Sequence, residues 1–281
     1  MKKTIAEKAL AKCMFRPVEK ISKVMSLYEP TNDFSIPLGF KGFDSAMEGG
    51  AREGELIVIS GQTGEGKTTF AQNLAVNISN ASIPSLWFSY EMNPYYLGSN
   101  FKKIVKEPSL DDLLVYTPIE LQERSLVFLE ENIKIGVEQQ AVKVVFIDHL
   151  HYLIDLKSSL NSSLLIGGIA RELKQIAVKN DVVIFLIAHT RKLALGEKLN
   201  LSSIRDSSLI SQEADYVFLI NRKKKDDGMK FGSSGDTEWL NESSVRLAKN
   251  RKTGKLFRFD FFMNDGKLIE KVSEEFAGYD G

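Results

Sequence analysis

A single cysteine, Cys13, among 281 residues leaves no internal disulfide to form and fits a reducing compartment. Long apolar runs are missing as well. The longest, residues 182–188, covers seven positions, far short of the ~20 that a membrane helix needs. The N-terminus is amphipathic and lysine-rich without a continuous apolar core, so no signal peptide is expected. Net charge is absent too, with 37 basic residues against 37 acidic ones, which argues against a protein that coats DNA by bulk charge. Only three histidines occur, His149, His151 and His189. The H-x-H pair suggests a metal, but no third ligand lies near it in the chain, and metal binding is not expected there. No internal repeat or low-complexity segment is visible.

The chain is built around residues 56–70. An apolar β-type run enters a glycine-rich turn, and Lys-Thr-Thr then opens an amphipathic helix. Gly61, Gly66, Lys67 and Thr68 fit the phosphate-loop spelling G-x-x-x-x-G-K-[ST]. The glycines let backbone N–H groups curl around a polyphosphate, and the following helix N-terminus favours negative charge. Residues Gly61, Gln62, Thr63, Gly64, Glu65, Gly66, Lys67, Thr68 and Thr69 are therefore expected to hold ATP. Lys67 reaches the β- and γ-phosphates, and the Thr68 hydroxyl ligates Mg²⁺.

Residues 1–28 show helical periodicity interrupted at Pro17, and residues 29–33 read as a linker. This segment, 1–33, is an arm that packs either on its own domain or on a neighbouring subunit. Residues 34–281 are expected to form one ATPase domain. A turn-rich lead-in, 36–44, precedes a short helix at 43–47. Apolar strands at 86–90, 144–148, 182–188 and 216–220 then alternate with helices at 67–79, 93–105, 120–140 and 164–179. That alternation predicts an α/β fold with a mainly parallel sheet covered on both faces. Short alternating segments at 245–249, 257–261 and 267–272 read as antiparallel strands added at its edge.

In open α/β sheets ligands sit beyond the carboxyl ends of the strands. The residues at those ends are chemically apt. Glu91 can orient the water that attacks a γ-phosphate. Asp148 ends an apolar run in the manner of a Walker B strand and is expected to hold Mg²⁺. His189 can sense the γ-phosphate and pass that state to the basic, polar loop behind it. Within that loop Arg191, Lys192, Arg205, Asp206 and Ser208 are candidates for contact with a phosphodiester backbone. Lys249 and Arg251 lie in a basic hairpin too far along the sheet to serve their own nucleotide. They are expected to act in trans, which requires a ring or filament.

Taken together these residues resemble the RecA-like ATPase core of the DnaB family of replicative helicases, across about residues 34–272. The lead-in 36–44, the Glu91 segment 88–92, the Asp148 segment 146–150, the loop motif 203–208 with 212–215, and Lys249-Asn250-Arg251 each resemble a motif of that family. His189 stands where bacterial members usually carry Gln and phage-type members His, so the phage-like branch is the nearer one. Ser208 stands where the family has Gly. The resemblance implies a P-loop NTPase of the RecA-like class, active as a hexameric DNA helicase on single-stranded DNA. It also implies ATP and Mg²⁺ as cofactors, a primase or helicase loader as partner, and a cytoplasmic place in a bacterial or phage-infected cell. The family's N-terminal primase-binding domain is expected to be absent. Two rival readings stand beside this one: a RecA- or RadA-like recombination ATPase, and a KaiC-like regulatory ATPase that binds protein rather than DNA.

Overall fold

The structure, a computed structural model, describes residues 20–21, 35–105, 110–121, 125–149, 162–191, 193, 197–204, 207–224 and 239–271. The side chains of 162–164, 207, 208, 224 and 239 are outside that description. The expected N-terminal arm falls outside it apart from Lys20 and Ile21, as do His151, Lys192, Arg205 and Asp206.

Nine strands form one sheet in the order β3-β2-β4-β5-β1-β6-β7-β8-β9. The parallel part comprises β1 (Leu56–Gly61), β2 (Ser85–Ser89), β3 (Val115–Tyr116), β4 (Val144–Asp148), β5 (Val183–His189) and β6 (Tyr216–Lys224). β1, β2 and β4 are buried at every position, the pattern of strands covered on both faces. β7 (Trp239–Asn250), β8 (Phe257–Asn264) and β9 (Lys267–Glu270) extend the sheet antiparallel, as the alternating C-terminal pattern predicts. The two-residue β3 has no sequence signature and, among the described residues, pairs with β2 alone.

The covering helices explain the two apolar cores. One face buries Ile57, Ile59, Trp87, Phe146, Phe185 and Phe218 under α1 (Lys41–Ala46), α2 (Lys67–Asn80) and α3 (Pro94–Val105). The other buries Val58, Val145, Ile147, Ile184 and Leu186 under α4 (Leu126–Gln140), α5 (Ser162–Lys179) and α6 (Ser207–Glu213). Leu97, Phe101 and Ile104 of α3 recur at helical spacing, which is why that stretch forms a helix and lies on the sheet. The helix predicted over 120–140 starts only at Leu126. There the Ser125 hydroxyl accepts from the Phe128 N–H at 3.1 Å and caps the first turn.

The lead-in is pinned before β1 begins. Ile36 and Ala51 exchange both backbone hydrogen bonds, at 2.7 and 2.9 Å. Asp44 accepts from the Leu38 and Gly39 N–H groups. This anchors α1 against Phe218, Phe259 and Phe261, and it fixes the entry to the strand that carries the glycine turn.

Candidate nucleotide-binding site

β1 delivers the chain to Gly61 and α2 begins at Lys67, so the glycine turn joins a buried strand to a helix N-terminus as the spelling requires. Gly64 and Gly66 sit at φ +82° and +91°, where a side chain would be strained, and a Cβ on either meets nothing within 4 Å. Backbone conformation, rather than space, calls for glycine there. Gly61 is a case of close approach, because a Cβ on it would lie 2.5 Å from the Ile220 carbonyl of β6.

Lys67 is 6% exposed and folds back across the turn, donating to the Gly61 and Gln62 carbonyls at 2.9 Å each. Burial lowers its pKa, opposed by the charges of Glu65, Asp148 and Glu91. An ammonium placed among three carboxylates and buried backbone is ready to exchange those carbonyls for phosphate oxygens. The Glu65 carboxylate meanwhile accepts from the Gln62 N–H at 3.2 Å, one of the amides the turn presents.

Asp148 ends β4 and is 1% exposed. It accepts from the Thr68 hydroxyl at 3.1 Å, so the two expected Mg²⁺ ligands meet across 80 positions of sequence. Burial pushes its carboxyl up to about 6, with Thr68 and Lys67 pulling down and Glu91 pushing further up. A buried acid beside a hydroxyl is a donor set made of oxygen, the type that suits Mg²⁺.

The sheet register brings the remaining residues into line. Ser89 of β2 pairs with Asp148, and Gly61 pairs with His189 at the end of β5. Glu91, two residues past β2, places its carboxylate 3.4 Å from Nδ1 of His149. The same Nδ1 lies 3.1 Å from Nε2 of His189. His149, directly after Asp148, adopts φ +78°. Sequence reasoning saw in His149 only half of an H-x-H pair lacking a third ligand. The structure corrects this: Glu91 and His189, 58 and 40 positions away, both reach it.

Behind His189, Thr190 bridges to Ile204 and the Arg191 N–H donates to the Ser203 carbonyl at 2.9 Å, so the basic loop is tied to the end of β5. Arg191 forms a bidentate pair with Glu197 of the same loop. Ser208 lies in α6.

Lys249 and Arg251 stand at the opposite end of the parallel strands. Asn250 pairs with Tyr216, and Tyr216 pairs with Ile57. Four residues of β1 and two strand spacings put this corner about 16 Å from Gly61, beyond the reach of an arginine side chain. Lys249 donates to the carbonyls of Ser211, Gln212 and Ala214 at 2.7, 3.1 and 2.7 Å. All three ammonium donors are thereby used on the carboxyl end of α6. Arg251 donates to Asp215 at 3.2 Å while its side chain stays 54% exposed. An apolar cleft of about 330 Å³ between residues 200–202 and β7 has one charged lining residue, Arg246, which bonds the Leu199 carbonyl.

The family described as DnaB-like helicase C terminal domain matches residues 35–101 and 116–265. Among curated proteins, the replicative DNA helicase DnaB of Mycoplasma pneumoniae is 29% identical over 258 residues, covering 79% of this chain and 54% of that protein. The replicative DNA helicase DnaB of Treponema pallidum is 24% identical over 231 residues, with coverage of 73% and 52%. The chain thus spans about half the length of the curated relatives it matches. Among solved structures, a DnaB-like replicative helicase, described with its interactions with primase, superposes with a TM-score of 0.70 at 19% identity, over 94% of this chain and 71% of that one. A second solved structure, of an ATPase domain, gives 0.69 at 18% identity over 96% and 100%. At that identity the likeness establishes the fold, which is the RecA-like ATPase fold that the resemblance implies.

Proposed function

The chain belongs to the DnaB-like helicase C-terminal domain family, and from that membership we propose that it is an ATP-driven motor that moves along single-stranded DNA. It works as a ring of identical subunits, six in number if it follows the resemblance, with each nucleotide site shared between neighbours. Lys67 leaves the Gly61 and Gln62 carbonyls and reaches the β- and γ-phosphates. Thr68 and Asp148 hold Mg²⁺, which when bound draws charge from the phosphate oxygens. Glu91 orients the water for in-line attack on the γ-phosphate. Arg251, joined by Lys249 once it leaves the carbonyls of α6, completes the site of the adjacent subunit. His189 couples the γ-phosphate state to the loop at 190–208, in which Arg191, Lys192, Arg205, Asp206 and Ser208 grip the strand. A primase or loader is the partner class, and cytoplasm the compartment, for a motor of this kind.

The observation that carries this reading is the separation within one subunit. Gly61, Asp148, Glu91 and His189 gather at one end of the sheet, while Arg251 emerges at the other. A complete site then needs two chains. Mixing Arg251→Ala with Glu91→Gln subunits tests it, since neither variant alone can hydrolyse ATP. Random assortment in a ring restores about a quarter of the interfaces at equal mixing. No recovery at any ratio, in mixed rings shown to form, would sink the shared site. Unwinding of a forked duplex separates a helicase from a recombinase, and salt-sensitive binding of a single strand separates both from a regulatory ATPase.

A further inference from the structure

We propose that Glu91, His149 and His189 form a binding site for a divalent transition-metal ion, with Zn²⁺ the best fit, at the mouth of the phosphate loop. One ligand atom from each side chain lies within 4.8 Å of the other two. Two of the three separations are 3.1 and 3.4 Å. A tetrahedral zinc ion bound at about 2.0–2.2 Å holds its ligand atoms roughly 3.3–3.5 Å apart. The pairs through His149 Nδ1 already approach that spacing, and the Glu91–His189 pair lies within 4.8 Å.

The donor set decides the metal. Two imidazole nitrogens and one carboxylate oxygen match the His₂Glu sets of zinc sites and the facial triads of other first-row metals. Mg²⁺ prefers oxygen alone, so it stays with Thr68 and Asp148. Nδ1 of His149 faces both a carboxylate and a second ring nitrogen, so three atoms able to ligate a cation converge there.

The three ligands come from the carboxyl ends of β2, β4 and β5, which the sheet holds in register. His149 itself holds a left-handed backbone, φ +78°, a strained conformation for a residue other than glycine. The Glu91 side chain is 52% exposed and that of His149 22%, so solvent reaches the fourth coordination position. An ion there takes the Glu91 carboxylate as a ligand. It follows that Zn²⁺ should stop ATP hydrolysis even when Mg²⁺ is abundant. This consequence rests on the reading of Glu91 as the water-orienting group, whereas the site itself rests on the geometry alone.

The full chain, in whatever oligomer it forms, is titrated with ZnCl₂ in chelator- and nucleotide-free buffer, and binding is followed by calorimetry. A parallel Co²⁺ titration is followed by visible absorption, and the melting temperature is measured with and without Zn²⁺. The expected result is one ion per subunit, a tetrahedral Co²⁺ spectrum and a higher melting temperature with Zn²⁺. His149→Ala should weaken binding by at least ~100-fold, at or beyond the upper end of the loss of an outer-shell partner. Glu91→Gln preserves the shape of the ligand it removes, so it serves as the second test if His149→Ala does not fold. Unchanged affinity in the variant that folds overturns the site, as does the absence of both heat and melting shift in the wild type. In the wild type, Zn²⁺ should inhibit hydrolysis over the same concentrations that saturate binding, and chelator should restore it. Binding without inhibition upholds the site and overturns the role given to Glu91.

Discussion

Replacing Asp148 by Asn should make the nucleotide-free protein more stable while removing the Mg²⁺-dependent hydrolysis proposed for it. The carboxyl is 1% exposed, and burial is the main cause that raises its pKa from 3.8 to about 6. The native state therefore binds this proton more tightly than the unfolded chain does. The stabilisation is complete below pH 3.8 and is lost as the pH rises through about 6. At 1.36 kcal/mol for each pKa step, keeping the acid ionised at pH 8 costs about 3 kcal/mol. Asparagine is nearly isosteric, carries no charge and still accepts from the Thr68 hydroxyl, whose oxygen lies 3.1 Å from the present carboxylate. In a chain of this size that difference raises the melting temperature by on the order of 5 °C. The measurement is differential scanning calorimetry of wild type and Asp148→Asn in EDTA without nucleotide, at pH 5 and pH 8. The gap should open at pH 8 and narrow at pH 5, where the wild-type acid is largely protonated. An Asn variant that melts below the wild type at pH 8, or a gap independent of pH, would refute the burial argument.

Lys67→Ala should lower ATP turnover by at least ~100-fold, the scale seen when one preorganised donor to a developing charge is lost. Wild-type turnover in a steady-state phosphate-release assay would remove the phosphate loop from the chemistry. Lys249→Ala strips three carbonyls of α6 of their shared donor and should cost roughly 1–3 kcal/mol, read from chemical denaturation. An unchanged midpoint would mean that the lysine does not hold that helix. Arg205→Ala should weaken single-stranded DNA binding and flatten its salt dependence by about one phosphate contact while leaving basal hydrolysis in place. Identical salt slopes for variant and wild type, in a fluorescence titration, would take that residue off the DNA path.

The parts of this protein legible in its sequence are those whose signal is local. Burial on both faces makes β1, β2 and β4 near-continuous apolar runs, and the glycine turn has a spelling dictated by backbone geometry. The start of α4 was less legible, because the predicted span begins six positions before the first residue of the helix, which the Ser125 cap opens. β3 was invisible, since two residues that pair with one edge carry no periodicity. The partners of the predicted site residues were not legible either. Arg191 is matched to Glu197, and Lys249 to the end of α6, by contacts that no spacing rule encodes.

By itself the sequence determined that this chain carries a phosphate loop between a buried strand and a helix, with Asp148 and His189 at the ends of later strands. Those features follow from residue type and short-range order, which backbone sterics and apolar periodicity translate directly into structure. Only the tertiary structure decided who meets whom. Parallel pairing of β2, β4, β5 and β1 puts Ser89 beside Asp148 and Gly61 beside His189, so residues far apart in the chain end in one row. Thr68 thereby meets Asp148, and His149 meets both Glu91 and His189. The same register carries Lys249 and Arg251 to the far end of the strands, because an antiparallel return from β6 to β7 runs away from the phosphate loop. Distances across a sheet are set by hydrogen-bond register, and register is a property of the assembled strands rather than of any one of them.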